Sequence, residues 1–313
     1  MTTVDQIAEA VAAPRVARKP KRTRPRFKDT WWRHLTGVIA TLFALFPVAY
    51  IISAAFNATP TLTGSRLIPR HVTLDNFRQL FSTHVSGSSS YAAAHYARWL
   101  LNSLIVAGSA AILSVLLSAF AAYAFSRFRF RGRRLGMLAL LLIQMFPQLT
   151  LVVALYLIVL KTGDVFGVLG LNHLTALIVV YLGGAMGVNT WLMKGFFDTI
   201  PAELDESARV DGATPAQVFW GVVLPLATPV LAVIALISFV FAINEFAIAS
   251  ALLQTTDRFT LGVGMQSYID QKYSEHWGPF AAGVLLTSVP VVLLFTFLQR
   301  YIVGGLTQGS VKG

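Results

Sequence analysis

From residue 34 onward the chain alternates long apolar runs with short polar connections. The runs fall at 34–56, 99–125, 135–160, 174–197, 226–252 and 279–303. Each is long enough to cross the hydrocarbon of a bilayer, which takes roughly 20 mostly apolar residues at 1.5 Å per residue. With no water to bond the backbone, such a run must satisfy its own N–H and C=O groups as a helix. The pattern predicts an all-α integral membrane protein with six transmembrane helices over residues 34–303. Pro47, Pro147, Gly183, Gly184, Gly187 and Pro290 interrupt the runs. Proline removes an internal hydrogen bond and glycine permits close helix approach, so these positions suit kinks and tight crossings around a pathway, or ordinary helix packing.

Composition supports a lipid solvent. Of 313 residues, 55% are hydrophobic and 12% charged, against about 25% charged in ordinary soluble domains. The net charge of +11 sits in short blocks beside the apolar runs, which is a pattern of membrane orientation and not of nucleic-acid binding. With the N-terminus inside, one alternating set of connections holds 18 Lys/Arg and the other holds seven. That imbalance places both termini in the cytoplasm and makes 57–98, 161–173 and 253–278 external. Residues 1–33 are polar and Pro/Arg-rich, a composition that cannot bury a core, and read as a disordered tail near the anionic inner leaflet. Residues 304–313 form a second cytoplasmic tail. Without cysteine there is neither disulfide nor thiol chemistry. No small-residue cleavage site follows the first run, which reads as a retained anchor.

One internal connection breaks the charge rule. Asp198, Glu203, Asp205, Glu206 and Asp211 are five of the 14 acidic residues, set against Lys194 and Arg209 on a face where basic residues should prevail. Pro201 suits a helix's first turn, and Asp211-Gly212 makes a C-terminal stop. Thr214 with Gln217 has capping-box spacing, Pro215 fits the first position of a second helix, and Leu224-Pro225 ends or kinks that run. Residues 198–227 therefore read as a helix, a glycine elbow and a helix. Such a unit is either a rigid lever for a cytoplasmic motor or a solvated interfacial loop.

At these residues the chain resembles the permeases of ABC importers, whose cytoplasmic loop carries E-A-A, three residues, G, nine residues, I, one residue, L-P. Here the pattern is Glu206-Ser207-Ala208, Gly212, then Val222, Val223, Leu224 and Pro225, with serine for one alanine and valine for isoleucine. The stretches AYAFSRFRF (122–130), QMFPQLTLVVALY (144–156), GLNHLTALIVVYLGG (170–184), DGATPAQVF (211–219) and YIVGGLTQGSVKG (301–313) are similar to the smaller permease subunit of maltose/maltodextrin importers. The resemblance implies a type I importer permease fold that works with a second, larger permease, two cytoplasmic ATP-binding subunits and an extracytoplasmic sugar-binding protein. It implies a coupling role for Glu203, Glu206, Ser207, Ala208, Asp211, Gly212, Leu224 and Pro225. It further implies that the connection 254–278, with Tyr268, Tyr273 and Trp277, offers aromatic area to the binding protein.

The chain itself has no G-x-x-x-x-G-K-[ST] loop to cradle phosphates, so ATP and Mg belong to partner subunits and no cofactor is expected here. The six histidines show no metal spacing, and no nucleophile elbow occurs, so neither a metal site nor an enzyme is expected. Glu245 with Asn244 is the one deeply placed acid; it is a pathway or gate residue, or a satisfied structural pair. Gln144, Gln148, Asn189 and Thr190 are candidates for a hydroxyl-binding path. A self-sufficient secondary transporter and a nonenzymatic scaffold are the alternatives. The first is disfavoured by the lack of an inverted repeat in sequence.

Overall fold

Apolar residues at nearly every position of the long runs leave the backbone no partner but itself, and the described residues are helical almost throughout. The computed structural model describes residues 27–58, 68–69, 71–81, 95–269 and 276–308. In chain order the helices are α1 Phe27–Phe56, α2 Asp75–Phe81, α3 Tyr96–Arg127, α4 Arg133–Gln144, α5 Gln148–Val165 and α6 Leu174–Phe197. They continue as α7 Ala202–Val210, α8 Pro215–Leu226, α9 Thr228–Asn244, α10 Ala247–Leu252, α11 Leu261–Gln266 and α12 Trp277–Gln308. The expected tails fall largely outside these residues, as do the Ser/Gly stretch 86–90 and Tyr273.

Among the described residues, four helices are long and apolar enough to cross a membrane: α1, α3, α6 and α12. A fifth is added if α8 and α9, bent by 77°, form one span. The 135–160 run is not one helix. It is split into α4 and α5 by Met145-Phe146-Pro147, because proline lacks the N–H that would continue the ladder and its own φ of −61° and ψ of 119° are extended. The 226–252 run is likewise broken at Glu245-Phe246 between α9 and α10. Gly183, Gly184, Gly187, Pro47 and Pro290 all lie inside continuous helices. The first helix starts at Phe27 and not at 34, so the expected 1–33 tail is helical over 27–33. Trp31 and Trp32, with Arg33 stacked 5.4 Å from the Trp32 ring, suit an interface where a helix can run past the hydrocarbon edge.

Three apolar cores in the unit Ala49–Gly313 hold the helices. The first joins α3, α6, α9 and α10 around Val106, Leu177, Tyr181, Phe239 and Ile243. The second joins α3, α11 and α12 around Tyr96, Trp99, Leu261 and Ala282. The third ties the end of α3 and α6 to α8 through Tyr123, Met193, Phe197, Val218 and Phe219. Where α4 crosses α6, a Cβ on Gly187 would lie 2.7 Å from Gln144 Nε2 and 2.8 Å from the Leu140 carbonyl. Only glycine permits that approach.

Candidate functional site

The segment 198–227 folds as two short helices about a left-handed glycine. Pro201 stands at the N-cap position of α7, one residue ahead of the helix. At the other end Gly212 has a φ of 90°. The Gly212 N–H donates to the Arg209 carbonyl at 3.0 Å and the Ala213 N–H to the Ala208 carbonyl at 2.9 Å. These two bonds are the Schellman pattern, which satisfies carbonyls that the end of a helix leaves bare. α8 then starts on a complete capping box: Thr214 Oγ1 accepts from the Gln217 N–H, and Gln217 Oε1 accepts from the Thr214 N–H at 2.8 Å. Ahead of Pro225 the helix opens into a π turn over Phe219–Val223, where the Leu224 N–H donates to Phe219 O. Pro225 cannot donate to the carbonyl four residues back, and a π turn is one way to absorb that gap.

A polar node fixes α7 to the bundle. Arg127, the last residue of α3, places its Nε 2.7 Å from Asp205 Oδ2, with the two side chains 10% and 4% exposed. The approach is close but lies off the N–H direction, so it is chiefly a charge contact. The same guanidinium donates to the Ile200 carbonyl at 3.0 Å, just before α7 begins. Beside it Ser126 donates to Asp198 Oδ1 at 2.7 Å, and Lys194 of α6 pairs with the other Asp198 oxygen. Burial opposes ionisation of Asp198, but the bonds from Lys194 and Ser126 and the charges of Lys194 and Arg133 outweigh it and hold its carboxyl below the usual range.

The opposite side of α7 is bare. Glu203, Glu206, Ser207 and Asp211 are exposed, Ala208 is half-buried, and Val210 is 87% exposed. Leu224 is half-buried under the third core and Pro225 is exposed. Charge counting and motif spacing gave no individual role to Asp205 or Arg127, although Arg127 lies in a stretch that carried the resemblance and Asp205 stands just ahead of Glu206. Asp205 is the only buried acid of α7. The available signal was Arg127 itself, the first charged residue after an apolar run.

The candidates within the apolar runs are distributed over separate helix junctions. Glu245 caps α10: its Oε1 accepts from the Ile248 N–H at 2.8 Å, and its Oε2 from the Ala249 N–H at 3.0 Å and the Tyr181 hydroxyl at 2.6 Å. Asn244 donates to its own helix at Val240 O. Asn189 is buried and donates to Ser114 and Ser238, joining α6 to α3 and α9. Gln144 donates to Gly184 O across the α4–α6 crossing at 2.6 Å. The hydroxyl of buried Thr190 has no hydrogen-bond partner, and the Gln148 side chain lies outside the described residues. No hydrogen bond links Glu245, Asn189 and Gln144 to one another.

On the other face of the bundle the loop after α10 is held firmly. Trp99 donates to Thr256 O at 2.6 Å, Asn102 to Asp257 O and Phe259 O, and the Asn172 carboxamide accepts from the Gln254 and Thr255 N–H groups. Tyr268 is 5% exposed and packs edge-on against Trp99, so it belongs to the core and not to an exposed aromatic surface. Burial pushes its phenol up.

Residues 114–308 match the family described as "Binding-protein-dependent transport system inner membrane component". The chain belongs to this family. It is 42% identical over 287 residues to the maltose/maltodextrin transport system permease protein MalG of Vibrio parahaemolyticus, covering 90% of this chain and 96% of that one. It is 37% identical over 288 residues to the galactooligosaccharides transport system permease protein GanQ of Bacillus subtilis, covering 92% and 97%. Among solved structures, a chain of a bacterial ABC transporter involved in import of the acidic polysaccharide alginate superposes with a TM-score of 0.70 at 23% identity, over 89% of this chain and 99% of that chain. That likeness speaks for the fold. The protein is thus a multi-pass membrane component of a binding-protein-dependent transport system.

Proposed function

We propose that this chain is the smaller permease of an ATP-driven sugar importer for maltose, maltodextrin or a related oligosaccharide. It pairs with a larger permease, takes sugar from an extracytoplasmic binding protein, and is driven by two cytoplasmic ATP-binding subunits that bind ATP and Mg. Its membrane domain crosses six times, with the broken α4–α5 and α8–α9 pairs counted as spans, and both termini face the cytoplasm. Residues 203–217, the exposed face of α7 and the elbow after it, seat in a cleft of an ATP-binding subunit.

The observation that carries this reading is the two-sidedness of α7. One face is joined to α3 through Asp205 and Arg127, and the other leaves Glu203, Glu206 and Val210 without cover. A rigid short helix so fixed passes displacement of its outer face to a transmembrane helix. The names of MalG and GanQ supply the sugar class. Purification tests it: a multi-subunit complex whose ATP hydrolysis rises when sugar-loaded binding protein is added supports the proposal. A chain that transports alone, driven by an ion gradient, refutes it.

A further inference from the structure

Five arginines stand within eight residues at the turn between α3 and α4: Arg127, Arg129, Arg131, Arg133 and Arg134. Two are engaged. Arg127 pairs with Asp205, and Arg133 leans on the Ser126 carbonyl at 3.5 Å while its charge acts on Asp198. Arg129, Arg131 and Arg134 are exposed and have no ion-pair partner among the described residues. The turn is closed by Gly132 at a φ of 89°, and the first turn of α4 holds no acidic residue and no side-chain cap. Arg133 and Arg134 therefore sit at the positive end of the α4 dipole, the end that favours anions and disfavours cations. For the chain alone this is an unfavourable concentration of like charge.

The same residues line a shallow depression that is largely open to the surroundings, with Arg129, Phe130, Arg131, Arg134 and Leu135 among its lining. Two of the lining side chains are apolar and exposed, Phe130 at 46% and Leu135 at 72%, and the neighbouring Phe128 and Leu138 are 44% and 55% exposed. The site lies where α3 leaves its apolar run. Basic pockets between helices at the level of the lipid headgroups suit anionic phosphate groups.

We infer that the α3–α4 turn binds the phosphate of an anionic phospholipid, whose headgroup lies among the arginines while its acyl chains follow the exposed apolar side chains Phe130 and Leu135. A soluble phosphate ester shares the headgroup chemistry but would leave those apolar side chains uncovered. The inference uses only the membrane-spanning character of the chain and is independent of the transported solute.

The test uses the complete transporter in nanodiscs of phosphatidylcholine with a rising fraction of phosphatidylglycerol, and native mass spectrometry to count retained phosphatidylglycerol. The variant Arg131→Gln/Arg134→Gln removes two exposed charges without touching a core. Each basic residue at the surface is worth about fivefold, so retention should weaken on the order of thirty-fold. Arg300→Gln, a basic side chain at the end of another span, should change it little. Equal retention in the double variant, or an equal loss in Arg300→Gln, would overturn the site. A parallel titration with inorganic phosphate in detergent separates the sources: if free phosphate displaces phosphatidylglycerol as well as added phosphatidylglycerol does, the pocket is a general phosphate site and the lipid assignment fails.

Discussion

Replacing Arg127 with methionine is the most informative perturbation of the lever. The substitution keeps an unbranched apolar stem of similar reach and removes the guanidinium, leaving Asp205 as a lone carboxylate at 4% exposure and freeing the Ile200 carbonyl. Removing one partner from a buried ion pair costs about 3 to 5 kcal/mol, because the remaining charge stays desolvated. Neither side chain is exposed enough for solvent to soften that figure. The loss is local to α7, whose helical amides would open on their own before the transmembrane core does. Hydrogen exchange of residues 203–209 should accelerate by roughly two to four orders of magnitude, since each 1.4 kcal/mol is tenfold. Sugar uptake should fall while ATP hydrolysis continues, because a loosened helix no longer moves α3. The double variant Arg127→Met/Asp205→Leu removes both charges and fills the same space with apolar atoms, a change that is often neutral or stabilising. It should recover exchange protection and most of the uptake. Parental exchange and coupling in Arg127→Met, or no recovery in the double variant, would refute the reasoning.

Gly212→Val should cost about 1 to 3 kcal/mol from backbone strain alone, since φ is 90° and a Cβ there meets nothing within 4 Å; circular dichroism of the purified chain should be unchanged while uptake is lost. Because the chain has no cysteine, Arg131→Cys should react with impermeant reagents only after the membrane is opened, and Arg258→Cys should react in intact cells; the reverse pattern would invert the topology. Asp198 is held below its usual value of 3.8, so its contribution is present above that pH and is lost as pH falls through the lower folded value. Exchange protection around 198–204 should therefore be flat from neutral pH to about 4 and decline only below it.

Local rules made some of this legible in the sequence and non-local ones hid the rest. Thr214, Gln217, Pro215 and Gly212 act on neighbours within four residues, so spacing alone identified the capping box and the elbow. The unbroken run 174–197 carries no proline, and α6 covers it to the residue. The run 135–160 looked equally apolar, yet one missing N–H at Pro147 divides it. Asp205 was counted with Glu206 among the acids of the segment but given no role of its own, because what distinguishes them is which side of α7 faces Arg127, and that depends on how a distant helix end packs. Glu245 was legible as unusual but not as a cap, since its carboxylate binds the N–H groups of a helix that exists only because α9 breaks beside it. Tyr268, one of the aromatics expected to be exposed in 254–278, was misplaced for the same reason: it is held by Trp99, which comes from α3.

The central claim is that the bare face of α7 seats on an ATP-binding subunit, and one crosslinking measurement addresses it directly. Ser207→Cys adds a single thiol, nearly isosteric with the hydroxyl it replaces, on that exposed face. In the assembled transporter, a short bifunctional thiol reagent should join it to single cysteines placed around one cleft of the ATP-binding subunit, with a yield that changes on adding ATP. Efficient assembly with no crosslink at any cleft position, with or without nucleotide, would contradict the account.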